Sequence, residues 1–238
     1  MSQKNAVVIG GGTGIGAAVA VALAEDGYRV RIGGRREKPL KAVAEGRDAI
    51  DHATADVADR EGVLGFIEAA ESDLGPLAVV VNCAGVNVVN RSLSNVGPAD
   101  WDRLMRIIAT GVFNVMHAAL PAMRARQDGL IVNISSIAGL RALELAGAPY
   151  VASKFAATAI GTYAGLELAD EGVRVTNVYP GEVETPILDQ RPEPVSAERR
   201  ATMLQPEDVA AAVLMVARLP ARAHVPDLTI KPTVQKFA

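Results

Sequence analysis

The sequence predicts an α/β fold in which a single doubly wound parallel sheet of about seven strands carries helices on both faces. Three observations point there. Apolar runs of strand length alternate with longer helical patterns along the whole chain. A glycine cluster joins the first apolar run to the first helical pattern. No linker of Pro/Ser/Gly composition and no internal repeat divides the 238 residues, so the expected unit is one domain over residues 1–238.

The elements follow in order. Residues 6–9 (AVVI) read as a buried strand, and 14–26 as a helix with small residues facing inward, ended by Gly27. Further strands are expected at 28–32, 50–54, 77–82, 129–135, 173–179 and 227–230. Helical patterns lie near 38–46, 59–73, 99–125, 149–171 and 206–217. Strict alternation implies right-handed crossovers and a sheet buried on both faces. The least regular stretch, 180–205, holds Pro180, Pro186, Pro192 and Pro194, and is expected to loop with a short helix near 196–203. Pro206 opens the next helix where its missing N–H costs nothing.

Composition narrows the function. Twenty-four Lys+Arg against 27 Asp+Glu give a net charge of −3, which excludes a strongly basic nucleic-acid binder. The one cysteine, Cys83, excludes an intramolecular disulfide and a cysteine zinc site. His52, His117 and His224 are never spaced as a ligand pair, so no metal is expected. The longest apolar stretch near the N-terminus, 17–24, is too short to span a bilayer; no membrane association and a cytoplasmic, reducing setting are expected.

The glycine cluster reads Ile9-Gly10-Gly11-Gly12-Thr13-Gly14-Ile15-Gly16. Backbone N–H groups at a helix start make an anion site, and glycines let a pyrophosphate approach closely. A G-x-G-x-x-A pattern can be read at Gly12, Gly14 and Ala17; G-x-x-x-G-x-G at Gly10, Gly14 and Gly16 fits better. The second strand runs on into Gly33-Gly34-Arg35-Arg36, without the carboxylate that usually binds an adenosine ribose. Arg35 or Arg36 can hold a ribose 2′-phosphate through a charge-assisted fork, which favours NADP over NAD; the alternative is a solvated basic turn. Asp56, before Val57, can accept from an adenine amino group or cap the helix that follows. Tyr150 and Lys154 stand at i and i+4, on one helix face. A phenol titrates near pH 10 (about 10 for the free side chain), and a neighbouring ammonium lowers that value toward acid–base work on a carbinol or carbonyl oxygen.

With these motifs in order, the chain resembles the short-chain dehydrogenase/reductase family, whose NAD(P)-binding domain has the Rossmann fold. Gly10, Gly14, Ile15 and Gly16 resemble its cofactor loop. Asn82-Cys83-Ala84-Gly85 resembles its motif after the fourth strand, Ile134-Ser135-Ser136-Ile137-Ala138-Gly139 its catalytic serine segment, and Pro180-Gly181-x-x-x-Thr185 the segment over the nicotinamide. The resemblance implies Tyr150 as general acid/base, and Lys154 on the nicotinamide ribose, lowering the tyrosine pKa. It also implies Ser136 rather than Ser135 on the substrate oxygen, and Thr185 with the backbone near Val183 on the carboxamide. The substrate implied is a small carbonyl or alcohol, and the assembly a homodimer or homotetramer through helices near 99–125 and 149–171, with Ala118, Ala119, Ala156, Ala157 and Ala164 as candidate packing residues, a pattern that internal packing would share.

The sequence also departs from the family pattern. Ile108 stands where the family usually has an asparagine that helps hold a relay water, and isoleucine makes no side-chain hydrogen bond. That keeps open a second reading, an NADPH-binding sensor or scaffold with little turnover. Ser136 and Tyr150 lie 14 residues apart, one more than the commonest spacing, so a bulge is expected between 140 and 149. The tail Asp227–Thr233 resembles that of NADP-dependent hydroxy-acid dehydrogenases. Pocket walls are expected from 86–88, 140–145 and 182–204, with a lid around 181–205. Glu182 and Glu184 would make an acidic rim hostile to anions unless Arg141 faces inward.

Overall fold

A computed structural model describes residues 3–236. Seven strands form one parallel sheet in the order β3-β2-β1-β4-β5-β6-β7. They are β1 (Lys4–Ile9), β2 (Tyr28–Gly34), β3 (Ile50–Thr54), β4 (Leu77–Asn82), β5 (Gly129–Ile134), β6 (Val173–Pro180) and β7 (Asp227–Ile230). The helices are α1 (Gly14–Glu25), α2 (Glu37–Ala44), α3 (Arg60–Leu74), α4 (Pro98–Leu104), α5 (Gly111–Arg126), α6 (Ala148–Glu167), α7 (Ala197–Arg200) and α8 (Pro206–Ala217).

The alternation of side chains along each strand creates two cores. In β1, Val7 and Ile9 join one core with Val63, Phe66, Val112 and Val115 of α3 and α5. Ala6 and Val8 join the other with Val19, Leu23, Val209 and Val213 of α1 and α8. A strand buried on both faces must be apolar at every position, and β1 is so from Ala6 onward.

The strand order reverses between β1 and β4. Such a switch point leaves a crevice beyond the C-terminal strand ends, and the loops after β1, β4, β5 and β6 all open into it. The main chains there are tied together: Cys83 N–H donates to Ile9 O (2.8 Å) and Gly10 N–H to Gly33 O (2.8 Å).

The helix expected continuously over 99–125 is broken. A π-helical segment, Met105–Thr110, separates α4 from α5 and packs against α6. One wider turn shifts the phase of everything after it, which an unbroken 3.6-residue period cannot anticipate. By length and composition Pro98–Arg126 could cross a membrane, but 61% of its most apolar window is buried in the protein, as in a core helix. Ala118, Ala119 and Ala157, open in sequence to an assembly face or to internal packing, pack inward in the core. The helix expected over 149–171 ends at Glu167, and the short helix near 196–203 is confined to Ala197–Arg200.

Candidate active site

At one end of the crevice the backbone makes the site. Thr13 leads into α1 without capping it by its side chain, so the first amides of the helix, at Gly14, Ile15 and Gly16, have no intrahelical acceptor. They face a cleft of about 620 Å³ that Gly10, Gly12 and Thr13 also line. Gly16 cannot be replaced without a shift: a Cβ there would lie 2.2 Å from Gly10 O. Gly10 itself has φ +82°, in the left-handed region that favours glycine.

The rest of this end is charged or polar. Arg35 and Arg36 line the same cleft, both exposed, and neither is in an ion pair among the described residues. Asp56 and Val57 line it too, and Asp56 Oδ1 accepts from Ala58 N–H (3.0 Å), so one carboxylate oxygen fixes the turn before α3. The cap position of α3 is Asp59, not Asp56. Asn114 on α5 anchors this wall by donating to Val57 O (2.8 Å) while accepting from Arg60 Nε (3.1 Å).

At the other end side chains make the site. Tyr150 and Lys154 project from α6 into the cleft, and Ser136 faces them from the loop after β5. Buried amides set the placement of α6. Asn133 on β5 donates to Ala157 O (3.2 Å) and to Asn177 Oδ1 (3.0 Å), and Asn177 on β6 donates to Thr162 Oγ1 (3.3 Å). Ser136 Oγ accepts from Ala138 N–H (3.1 Å), which starts a short 3₁₀ turn. Ser135 lines the cleft as well, but it is buried and its hydroxyl pairs with Thr158 Oγ1 (2.9 Å).

Burial pushes the Tyr150 hydroxyl up to about 12; a hydrogen bond with Ser136 and the charge of Arg91 act against that rise. Lys154 was expected to lower this value; instead burial raises it, and Lys154 is not among the groups that act against the rise. The ammonium sits 5.7 Å above the tyrosine ring centroid and spends a hydrogen bond on Ile134 O (2.8 Å). Burial brings Lys154 down to about 8, with Cys83 opposing.

The remaining walls correct further expectations. Asn82 does not line the cleft; it is buried and Oδ1 accepts from Ala84 N–H (3.1 Å), holding the turn that presents Ala84 and Gly85. Pro180, Gly181, Val183 and Thr185 line the cleft as expected. The acidic rim is neutralised. Glu182 is held by Arg191 Nη2 (2.7 Å) and Arg199 Nη2 (2.6 Å), and Glu184 pairs with Arg200. Arg141 is exposed and lies outside the cleft lining. A buried arginine that does line the cleft is Arg91, from an unremarkable Asn-Arg-Ser loop with no sequence signal to single it out. Ile108 is buried in the π-helical segment among core side chains, and Asn114, the nearest polar candidate along α5, is consumed by Val57 and Arg60.

The chain is similar to known oxidoreductases. The chain is 36% identical to a glycine betaine reductase of Emericella nidulans over 98% of its own length, spanning only 19% of that longer protein. It is 32% identical to an uncharacterized oxidoreductase of Staphylococcus aureus strain USA300, covering 98% of both chains. The closed form of a serine dehydrogenase complexed with NADP+ superposes with a TM-score of 0.90 at 26% identity, covering 98% of this chain and 97% of that one. A family model described as short chain dehydrogenase matches residues 4–195, and the chain belongs to that oxidoreductase family.

Proposed function

We propose that this chain is an NADP(H)-dependent oxidoreductase acting on a small carbonyl/alcohol pair, with Tyr150 as the proton donor or acceptor. The observation that carries this is the shared cleft: Tyr150 and Ser136 line the same crevice as the glycine-cradled amides of α1. When bound, NADP(H) supplies the hydride exchanged with the substrate carbon. The residues fit it: the unpaired amides at Gly14 to Gly16 suit a pyrophosphate, and the unpaired guanidiniums of Arg35 and Arg36 suit a 2′-phosphate.

In the reducing direction Tyr150 gives its phenolic proton to the carbonyl oxygen, and Ser136 holds that oxygen in line. A phenol raised to about 12 keeps its proton throughout the neutral range, which suits the donor role. Lys154 sits where it can reach ribose hydroxyls next to Gly85; its Nζ is the nearest atom, 3.9 Å, to a Cβ built there. Thr185 and Val183 fit a carboxamide contact. The protein's contribution is positioning and electrostatics, not covalent chemistry. Exposed Phe113, Phe155, Tyr163 and Leu166 along α5 and α6 favour assembly through those helices, in place of the buried alanines.

A second reading, a cofactor-binding sensor with little turnover, draws on Ile108, whose buried side chain offers no hydrogen bond to a relay. One assay separates the two. NADPH absorbance is followed against a panel of aldehydes, ketones, keto acids and sugars. Consumption with any member supports the oxidoreductase. Tight NADPH binding with none of them consumed favours the sensor.

A further inference from the structure

Arg91 is 7% exposed, and its guanidinium lines the cleft together with Tyr150, Ser136 and Gln190. Two of its donors are used on main-chain oxygens: Nη1 donates to Leu145 O (3.1 Å) and Nη2 to Gln190 O. Nε is buried with no hydrogen-bond partner. No carboxylate pairs with it among the described residues. Glu182, another residue of the cleft lining, is taken by Arg191 and Arg199, and Arg191 acts on Arg91 as a like charge.

A buried cation without a counter-ion is costly, and proteins normally pair one. Burial and Arg191 together hold the Arg91 guanidinium below its usual range, with Tyr150 opposing. Two main-chain contacts would justify a neutral amide at this position; they do not account for a charge. The missing partner must come from the cleft, and one guanidinium with two donors already committed to Leu145 O and Gln190 O matches a single negative charge better than a phosphate, which calls for a larger set of donors. We propose that Arg91 binds the carboxylate of the substrate, so that the preferred substrate is a hydroxy acid or the corresponding keto acid. This rests on the oxidoreductase reading and names its substrate class and its specificity-determining residue.

The test uses calorimetric titration of the NADP+-loaded protein with short 2- and 3-hydroxy acids and with the amide of each. The wild type is expected to bind at least one acid about ten-fold or more tightly than its amide. Arg91→Gln should abolish that ratio, and Arg91→Lys should restore part of it, with NADP+ affinity unchanged in both. A wild type that binds NADP+ yet treats every acid and amide alike overturns the proposal, and this arm does not depend on any variant folding. An Arg91→Gln protein that is folded, binds NADP+ and retains the full acid preference also overturns it. Failure of the oxidoreductase reading looks different: acids would still bind in preference to amides, but no NADPH would be consumed with any keto acid.

Discussion

At the glycine end of the cleft, a Cβ on Gly16 would lie 2.2 Å from the Gly10 carbonyl oxygen, only six residues away in sequence. At the tyrosine end, Arg91 reaches across 99 residues of chain to the Gln190 carbonyl. The first end is made by backbone in close local approach. The second is made by long side chains whose partners lie far along the sequence. A backbone site tolerates almost no substitution and recognises a shape shared by all its ligands. A side-chain site can be altered one residue at a time, and there chemical selectivity is set.

The contrast can be broken in several places. Gly16→Val should have the largest effect: the added carbons meet Gly10 O and the Cys83 side chain, so the variant should lose NADP(H) binding and several degrees of melting temperature, or fail to fold. A melting curve with and without NADPH checks both.

The next effect is pH-dependent. Burial lowers Lys154 from 10.5 to about 8, so between those values the unfolded chain binds the extra proton. Stability contributed by this group therefore rises with pH from about 8 to 10.5, and the penalty is fully present below that window. The raised Cys83 and Tyr150 values oppose it from their own unfolded pKa upward. The difference between wild type and Lys154→Met isolates the lysine. It should move in favour of the wild type across the window, by on the order of 3 kcal/mol at most, in denaturant melts at successive pH.

Replacing Arg35 and Arg36 by alanine should weaken NADP+ about ten- to a hundred-fold and leave NAD+ affinity nearly unchanged, read by calorimetry. Equal NADP+ and NAD+ affinities in the wild type would remove the 2′-phosphate argument. Arg200→Ala is the mildest. It breaks the pairs with Glu184 and Asp189 that hold the 181–205 segment; the first is about a third exposed on each side (34% and 29%) and Asp189 in the second is 70% exposed. Melting should shift by less than about 1 kcal/mol equivalent, while limited proteolysis within that segment should speed up.

The same contrast explains what the sequence could disclose. All seven strands were legible; inner strands such as β1 and β4, buried on both faces, leave an apolar run, while the edge strands β3 and β7 are only partly buried and carry a weaker pattern. The glycine loop, Ser136, Tyr150 and Lys154 were legible because a fixed local spacing brings each of them to the cleft. Arg91 was not, since nothing in a short polar loop tells which arginine turns inward. The pairing of Glu182 with Arg191 and Arg199 was not either, and without it the rim read as acidic. Asn82 was misplaced for a different reason: its motif marks a turn near the cleft, and the side chain serves the turn itself. The π-helical segment escaped because one wider turn leaves no mark in residue type.

The most direct test of the central claim compares wild type and Tyr150→Phe in one preparation each, with NADPH binding by fluorescence titration and NADPH consumption by absorbance on the best substrate of the panel. The account predicts equal NADPH affinity and a loss of turnover of about 10²- to 10⁴-fold in the variant. Unchanged turnover in Tyr150→Phe would contradict it.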